Sequence, residues 1–259
     1  SNESKIIILC LNPINCLWYL LNKSETFLKS KYIIAYLPSE LSEFPNQLKS
    51  LFKYIDEIWT PSEFIFNSLQ KSKKIKKLMP LCVDYPDKRL EKIDLKNKSI
   101  LRNKFKIPSQ KLVFLCSFDL ESYVERKNPW GAINAFQMAF EPHIKSINKE
   151  VCLILKTFKP LSKNRDWEMI KELSLIDNRI KIIEEDLCHK ELLNLYSCCD
   201  VLISLHKSEG FGRIIAECML LGLEIVTTNW GGNTDFSDPH ITHLVRYKLK
   251  EIIPGTYPY

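Results

Sequence analysis

The 259-residue sequence predicts an α/β protein with two doubly wound lobes, each built on a parallel sheet. Short apolar, β-branched runs alternate with helical patterns along nearly the whole chain, which is typical of strands joined by helical crossovers. Apolar residues make up 45% of the chain, enough for a sizeable core. A charged, proline-containing stretch at 83–110 separates the alternating elements into two groups and is predicted to be a linker.

The first lobe is predicted over 1–82 and contains only four strand patterns. Ser62 follows Pro61 and is expected to cap a helix over 62–72, while another helix is expected over 45–55. With so few strands, we expect a shortened lobe, as in a truncated chain or a degenerate gene product. The strands are predicted at 5–11, 32–37, 57–60 and 75–79.

The second lobe is predicted over 111–259 and contains more of the same alternation. Its strands are predicted at 112–118, 151–156, 180–184, 201–205, 224–228 and 241–246. Its helices are predicted at 129–140, 166–175, 189–197 and 212–221. Asn128 and Pro129 form a good cap and first-turn pair for the first of these helices.

Composition excludes several classes of protein. The net charge of +6 comes from scattered lysines, and the one basic cluster, 71–77, has no interleaved aromatic residues, so nucleic-acid binding is not expected. That cluster is most simply a solvated surface, with an anionic membrane surface or a phosphorylated ligand as the alternative. No stretch reaches membrane-spanning length, so we expect a cytoplasmic protein with, at most, peripheral contact at the inner face of the membrane.

The glycines and cysteines exclude two kinds of site. None of the seven glycines precedes residue 131, so the first strand cannot lead into a G-x-G-x-x-G dinucleotide loop. The nine cysteines show no repeated C-x-x-C and no zinc-ligand spacing with histidine. They are expected to be small buried residues in a reducing compartment, and no metal is expected.

Charged and flexible residues follow the predicted strands of the second lobe where their carboxyl ends should meet. Lys127 lies beyond the first strand, Lys156 ends the second, and His206 and Glu209 follow the fourth. Ligands of open parallel sheets bind at this edge. The pattern therefore indicates an anionic ligand that also carries hydroxyl groups.

Individual residues suggest a diphosphate. Gly210 and Gly212 allow backbone N–H groups to approach a ligand, and the helix that begins near Gly212 offers its positive end to an anion. Arg126 and Lys127 supply a bidentate fork and a point charge.

Each of these signals also has an ordinary structural interpretation. Arg213 and Glu217 are four residues apart and could form a surface ion pair. His206 could be a hydrogen-bonded structural histidine, the glycines could simply form a tight turn, and Arg126 and Lys127 could be solvated. Only their joint position at the strand ends favours a functional site.

SLHKSEGFGRIIAECMLLGLEIVTTNWGGNTDF, residues 204–236, contains two glutamates eight positions apart. This segment is similar to the nucleotide-sugar donor signature of the retaining glycosyltransferases of family 4, which have the two-lobed, Rossmann-like GT-B fold. FDLESYVERKNPWGAINAF, residues 118–136, resembles the segment that closes on the diphosphate, and 40–69 resembles one branch of the family. The resemblance covers most of the chain.

The resemblance implies a role for each candidate residue. Glu217 would accept hydrogen bonds from the ribose hydroxyls, and Glu209 would hold the transferred sugar. Lys127, helped by Arg126, would stabilise the departing diphosphate. Further donor-binding residues would be Gly210, Phe211 and Gly212 through their backbone amides, with Lys156 and His206 as lining residues.

The implied activity is transfer of a sugar, with retention, from a nucleotide-diphosphate sugar to a saccharide or lipid-linked acceptor in surface polysaccharide or lipopolysaccharide synthesis, with no metal or other cofactor. The sequence also departs from the family: Ser117 and Phe118 stand where many members have Gly-Arg, no histidine lies in the first lobe, and that lobe lacks the family's glycine-rich loop. Two alternatives stay open. The shortened first lobe favours a catalytically inert nucleotide-sugar-binding module, and a nucleotide-sugar epimerase would share the two-lobed fold, although no acid/base residues for it can be assigned.

Overall fold

A computed structural model describes residues 4–83, 95–141, 150–158, 160 and 164–252. Within these residues the strands form two sheets, one of four strands and one of six, and every strand pair is parallel. The predicted fold class is confirmed: the protein is α/β with two Rossmann-like lobes.

The first-lobe sheet has the strand order β1-β2-β3-β4. Its strands are β1 (Ile6–Cys10), β2 (Tyr32–Tyr36), β3 (Glu57–Thr60) and β4 (Ile75–Leu78). They are joined by α1 (Pro13–Leu21), α2 (Glu25–Lys29), the 3₁₀ helix Asn46–Lys53 and α3 (Glu63–Ser68). Ser62 caps α3 as predicted, accepting a hydrogen bond from the Ile65 amide at 3.3 Å. The predicted α-helix over 45–55 is wrong in type, and the sequence interpretation missed α1 and α2.

One face of the first-lobe sheet is packed and the other is open along β1. Leu9, Ile33 and Ile58 point to the packed face, where they join a core cluster with side chains of α1, α3 and the 3₁₀ helix. Ile6 and Ile8 lie in register with Tyr32 and Ile34 on the other face. Both isoleucines are exposed, because within the described residues no helix covers them.

The second-lobe sheet has the order β10-β9-β8-β5-β6-β7. Its strands are β5 (Leu112–Ser117), β6 (Val151–Lys156), β7 (Ile180–Ile183), β8 (Val201–Ser204), β9 (Glu224–Thr228) and β10 (His243–Val245). Its helices are α5 (Val124–Lys127), α6 (Pro129–Ala139), α7 (Arg165–Ile176), α8 (His189–Ser197) and α9 (Arg213–Leu220). The predicted strands and helices of this lobe are present to within a few residues.

Both faces of the second sheet are covered. Leu115 and Ile154 point to a core cluster that includes side chains of α8 and α9. The alternate positions, such as Leu153 and Leu155, point to a second cluster with α6 and α7. Strand residues alternate between the two faces, and both faces are covered. Every residue of β6, including its apolar run Val151–Leu155, is therefore buried.

The helix α4 (Leu95–Lys104) lies in the stretch predicted to be a linker and packs against the second lobe. Arg102 is buried and donates to the Cys198 carbonyl at 2.8 Å and to Asp200 Oδ2 at 2.7 Å. These bonds tie α4 to the turn before β8.

None of the nine cysteines, all of which lie in the described residues, forms a disulfide. Six are buried as expected. The expectation of burial is wrong for Cys10, Cys82 and Cys188, which are exposed.

Candidate nucleotide-sugar site

The order of the second sheet places a topological switch point between β5 and β8. The chain runs from β5 outward through β6 and β7, then returns to build β8, β9 and β10 on the other side. Ligands of such sheets bind in the crevice at the carboxyl ends of the two switch strands. Arg126 and Lys127 follow β5, and Glu209 follows β8, so the topology alone brings these three side chains together.

The three side chains form a compact charge cluster. Lys127 Nζ donates to Glu209 Oε2 at 2.6 Å, and Arg126 Nη1 lies 3.6 Å from the same oxygen. Burial of Glu209 opposes its ionisation, but the charges of Lys127 and Arg126 outweigh that effect, and its pKa lies below the ordinary value. Glu209 is therefore an ionised carboxylate held by two cations.

The backbone around Lys127 explains how this cluster is held. Asn128 has φ +54° and ends α5 while capping α6. Its side chain accepts from the Gly131 amide at 3.2 Å and donates to the Leu205 carbonyl at 2.7 Å, which fixes the segment against the end of β8. The predicted cap is confirmed, but the short helix α5 was missed, so Arg126 and Lys127 lie at the end of one helix immediately before the next.

Glu217 is almost fully buried on α9 and pairs through one oxygen only. Its Oε1 accepts from Arg213 Nε at 2.9 Å and lies 3.1 Å from His189 Nε2. The ordinary ion pair that the spacing suggests is therefore formed, with His189 as a partner that sequence reasoning missed, because nothing local links His189 to α9. Within the described chain, no hydrogen bond reaches Oε2.

Glycine is required in this region for two different structural reasons. Gly212 has φ +93° and begins α9, a conformation that favours glycine. Gly210 lies where the lobes touch, since a Cβ there would be 2.3 Å from the Ser39 carbonyl oxygen. A Cβ on Gly232 would likewise be 1.9 Å from the Gly210 carbonyl oxygen. Close backbone approach, rather than turn geometry alone, requires glycine at 210 and 232.

The first lobe binds this loop directly through backbone and hydroxyl groups. Ser62 Oγ donates to the Gly210 carbonyl at 2.5 Å, and Ser208 Oγ donates to the Glu40 carbonyl. The Glu63 amide donates to Asp235 Oδ2 at 2.7 Å. Sequence reasoning missed this set, because the partners lie more than 160 positions apart in two of the three bonds.

Arg126 is shared between the lobes. It is largely buried, its Nη1 donates to the Ser208 carbonyl at 2.9 Å, and its Nη2 lies 3.7 Å from Glu40 Oε1. These contacts indicate that Arg126 fixes the loop against the first lobe, in addition to its charge effect on Glu209.

Three further predicted residues lie near the site but face protein groups. His206 is buried: its Nε2 donates to the Trp230 carbonyl at 2.9 Å, so its Nδ1 accepts from Ser204 Oγ at 3.0 Å, and burial lowers its pKa. Lys156 is buried and donates to the Thr157 and Glu185 carbonyls at 2.5 and 2.9 Å, and burial lowers its pKa too. The Phe211 ring packs 5.2 Å from that of Phe236. Their donor-binding roles stay predictions.

The described residues also bear on two other classes of site. They contain no group of three histidine, cysteine, aspartate or glutamate side chains placed to hold a metal ion. Among the described helices, none combines the length and apolar character that a membrane crossing requires.

Solved structures share this architecture. HepE from Anabaena, in complex with UDP-glucose, superposes with a TM-score of 0.72 at 17% identity, covering 95% of this chain and 65% of its own. Sucrose-phosphate synthase from Thermosynechococcus elongatus gives 0.66 at 16% identity, covering 93% and 60%. WaaG, a glycosyltransferase involved in lipopolysaccharide biosynthesis, gives 0.60 at 15% identity, covering 85% and 65%.

These structures have the GT-B fold, and the likeness shows that this chain has it as well. The chain spans about two thirds or less of their lengths. At the level of sequence, no family profile and no curated protein matches it.

Proposed function

We propose that the chain is a glycosyltransferase that binds a nucleoside-diphosphate sugar at the switch point of its second lobe. The observation that carries this proposal is the Lys127–Glu209 ion pair at the ends of β5 and β8, with Glu217 presenting a hydrogen-bonding oxygen on the adjacent helix. HepE binds UDP-glucose, and HepE shares the fold over nearly all of this chain. Uridine diphosphate is therefore the first nucleotide to test.

Each residue of the cluster has a proposed role in binding the donor. The diphosphate would lie against Lys127 and the amino end of α9. Its oxygens would replace Glu209 as a partner of the Lys127 ammonium group. Glu209, released toward the sugar, would accept hydrogen bonds from its hydroxyls. Glu217 Oε2 would accept from the ribose, while Arg213 and His189 hold Oε1 in place.

The proposed reaction retains configuration at the sugar. The bond from the anomeric carbon to the β-phosphate oxygen breaks, and its electron pair stays on that oxygen. The acceptor hydroxyl bonds to the anomeric carbon from the same face, and its proton passes to the leaving phosphate. Lys127 and the helix dipole stabilise the charge that develops on the phosphate, so the catalysis is mainly electrostatic and needs no protein nucleophile.

The acceptor and setting are proposed more broadly as a saccharide or lipid-linked saccharide of surface polysaccharide or lipopolysaccharide synthesis. WaaG, which shares the fold, acts in lipopolysaccharide biosynthesis. We propose activity at the inner face of the membrane, which would bring the enzyme to a lipid-linked acceptor.

A second candidate is a module that binds the donor without transferring sugar. The favouring observation is the first lobe, whose sheet has four strands within the described residues and an open face along β1. In this fold the first lobe normally faces the acceptor, so a module of this kind would keep donor binding and lose transfer.

Donor binding is tested by the unfolding free energy in the presence of UDP, GDP, ADP and dTDP. One nucleotide at a hundredfold excess over its dissociation constant should stabilise the protein by about 2.7 kcal/mol. Glu217→Gln should abolish that gain while the variant stays folded. Glu224→Gln, an exposed glutamate at the amino end of β9, is the matched control and should respond like the parent protein.

Transfer is tested separately. The donors are nucleotide-diphosphate sugars of the nucleotide that stabilises the protein, and the acceptors are a panel of lipid-linked and free saccharides. Formation of a product with retained anomeric configuration supports the transferase. Nucleotide stabilisation without product supports the inert module, and an epimerised donor supports the epimerase. Absence of stabilisation by every nucleotide would overturn the proposal.

A further inference from the structure

A pocket of about 460 Å³ lies beside the candidate site, between the 3₁₀ helix Asn46–Lys53, α3 and Trp230. We call it the lateral pocket. Its volume falls in the range of about 300–1,000 Å³ that is typical of sites for small ligands. Neither Lys127 nor Glu217 lines it.

Aromatic side chains form much of its wall. Phe44 and Phe52 pack with their ring centroids 4.8 Å apart, and Phe64 meets Trp230 edge to face at 5.4 Å. Phe52, Phe64 and Trp230 are only partly buried, so each leaves ring surface open to the pocket. Such surfaces pack well against the apolar C–H faces of a sugar ring.

Amide side chains form the polar part of the wall. Asn46, Asn67 and Gln70 all line the pocket, and within the described residues none of their side chains is engaged in a hydrogen bond. An amide group both donates and accepts, as a sugar hydroxyl does. Free amides beside aromatic rings therefore match a polyhydroxylated, uncharged ligand.

Charge in the pocket argues against a phosphorylated occupant. Two lysines, Lys49 and Lys71, are among the described lining residues. Lys71 Nζ lies 3.8 Å from Glu43 Oε2 in an exposed ion pair, so its charge is partly balanced. Among the described residues, no arginine lines the pocket. A diphosphate would find none of the bidentate donors that favour it.

The pocket is joined to the donor loop through Trp230. The Trp230 carbonyl accepts from His206 at 2.9 Å, and two residues on, the Gly232 amide donates to the Glu209 carbonyl at 2.7 Å. On the other wall, Phe64 lies on α3, whose capping residue Ser62 holds Gly210. A saccharide in the pocket would therefore lie alongside the loop that carries Glu209.

We propose that the lateral pocket binds a neutral sugar unit of the acceptor, one or more residues away from the reacting hydroxyl. This inference rests on the proposed function. It names the acceptor class as a saccharide of at least two units, held by Asn67, Gln70 and the ring of Trp230.

The test uses the ¹⁵N-labelled full chain and the side-chain amide signals of Asn46, Asn67 and Gln70. The probes are neutral trisaccharides with gluco, galacto, manno and N-acetylhexosamine units in α and β linkage, and separately UDP. At least one trisaccharide should shift these three signals in a saturable way. The double variant Asn67→Ala, Gln70→Ala should weaken that binding tenfold or more, whereas UDP binding should not change.

Gln47→Ala is the control, since Gln47 is an exposed amide next to Asn46 on the 3₁₀ helix of the pocket wall but does not line the pocket. It should bind the trisaccharide like the parent chain. If UDP binds but no trisaccharide shifts the three amides, the pocket inference is wrong and the donor site stands. If UDP itself shifts these amides, the inference is also wrong. A bound trisaccharide with no binding of UDP, GDP, ADP or dTDP would overturn the proposed donor function and, with it, the acceptor role of the pocket.

Discussion

The two lobes bury their sheets differently. In the second lobe helices cover both faces, and alternate strand residues enter two separate core clusters. In the first lobe one face holds a single cluster, and the other leaves Ile6 and Ile8 exposed at the edge strand. The second lobe can therefore hold a rigid ligand site by itself. The first lobe is hydrogen-bonded to it through Ser62, Glu63 and Glu40.

A pair of tryptophans gives the largest expected contrast between the lobes. Trp167 on α7 is 0% exposed and its Nε1 donates to Glu184 at 2.6 Å, whereas Trp18 on α1 is 69% exposed. Trp167→Ala should lower the free energy of unfolding by about 3–5 kcal/mol, because it leaves a cavity in the core. Trp18→Ala should stay within about 0.5 kcal/mol of the parent.

Urea unfolding followed by circular dichroism measures both variants, since this signal reports backbone secondary structure and does not depend on the substituted tryptophan. Comparable losses for the two substitutions would contradict the difference in burial between the lobes. Such a result would mean that Trp18 is covered in solution.

The junction between the lobes gives the next effect in size. Gly210→Ala places a methyl group against the Ser39 carbonyl, and backbone must move to relieve it. The expected cost is about 1–3 kcal/mol, typical of overpacking. The lobes should separate locally, so that hydrogen exchange of the Glu63 amide, now bonded to Asp235, becomes faster.

Gly222→Ala is the control for this substitution. Gly222 has φ +75° and nothing within 4 Å of a Cβ, so alanine there costs backbone strain of about 1–2 kcal/mol without touching the junction. Exchange at Glu63 should match the parent protein once global stability is taken into account. Faster exchange in both variants would show that global destabilisation, not the Ser39 clash, opens the junction.

The sequence predicted the second lobe better than the first for a physical reason. Strands buried on both faces, such as Val151–Lys156, appear as continuous apolar runs that local patterns reveal. Helix α1 was missed because its exposed Ile14 and Trp18 blur the amphipathic pattern. The 3₁₀ helix Asn46–Lys53 was predicted as α-helix, since the two share apolar spacing.

In the candidate site, too, the residues that local sequence patterns identify were predicted and the others were missed. Lys127, Glu209 and Glu217 could be found because each follows a strand or lies in a recognisable motif. His189, Glu40 and Asp235 could not, since their partners lie far away in the chain and the pairing depends on how helices and lobes pack. Gly210 was attributed to ligand approach, and the structure adds a lobe contact that no local pattern encodes.

Two carboxylates, one in each lobe, give a smaller and more selective effect. Hydrogen bonds from Trp59 and Lys77 hold the pKa of Glu57 below its ordinary value. For Glu209, burial opposes ionisation but Lys127 and Arg126 still lower the pKa. In both cases the folded-state pKa lies below the unfolded one. Each carboxylate therefore stabilises the fold fully above about pH 4.5, and that contribution is lost as pH falls through the folded-state pKa.

Glu57→Gln and Glu209→Gln should each flatten the fall in unfolding free energy below about pH 4.5, where the ordinary glutamate titrates. Saturating UDP separates the two. Phosphate oxygens drawn to Lys127 would raise the pKa of Glu209, so the acid transition attributable to Glu209 should move to higher pH. The donors to Glu57 lie within the first lobe and should be unaffected by UDP. The measurement is the unfolding free energy across pH 3–6 with and without UDP. If UDP moved the acid transitions of Glu57 and Glu209 by the same amount, or moved neither, UDP would not bind beside Lys127.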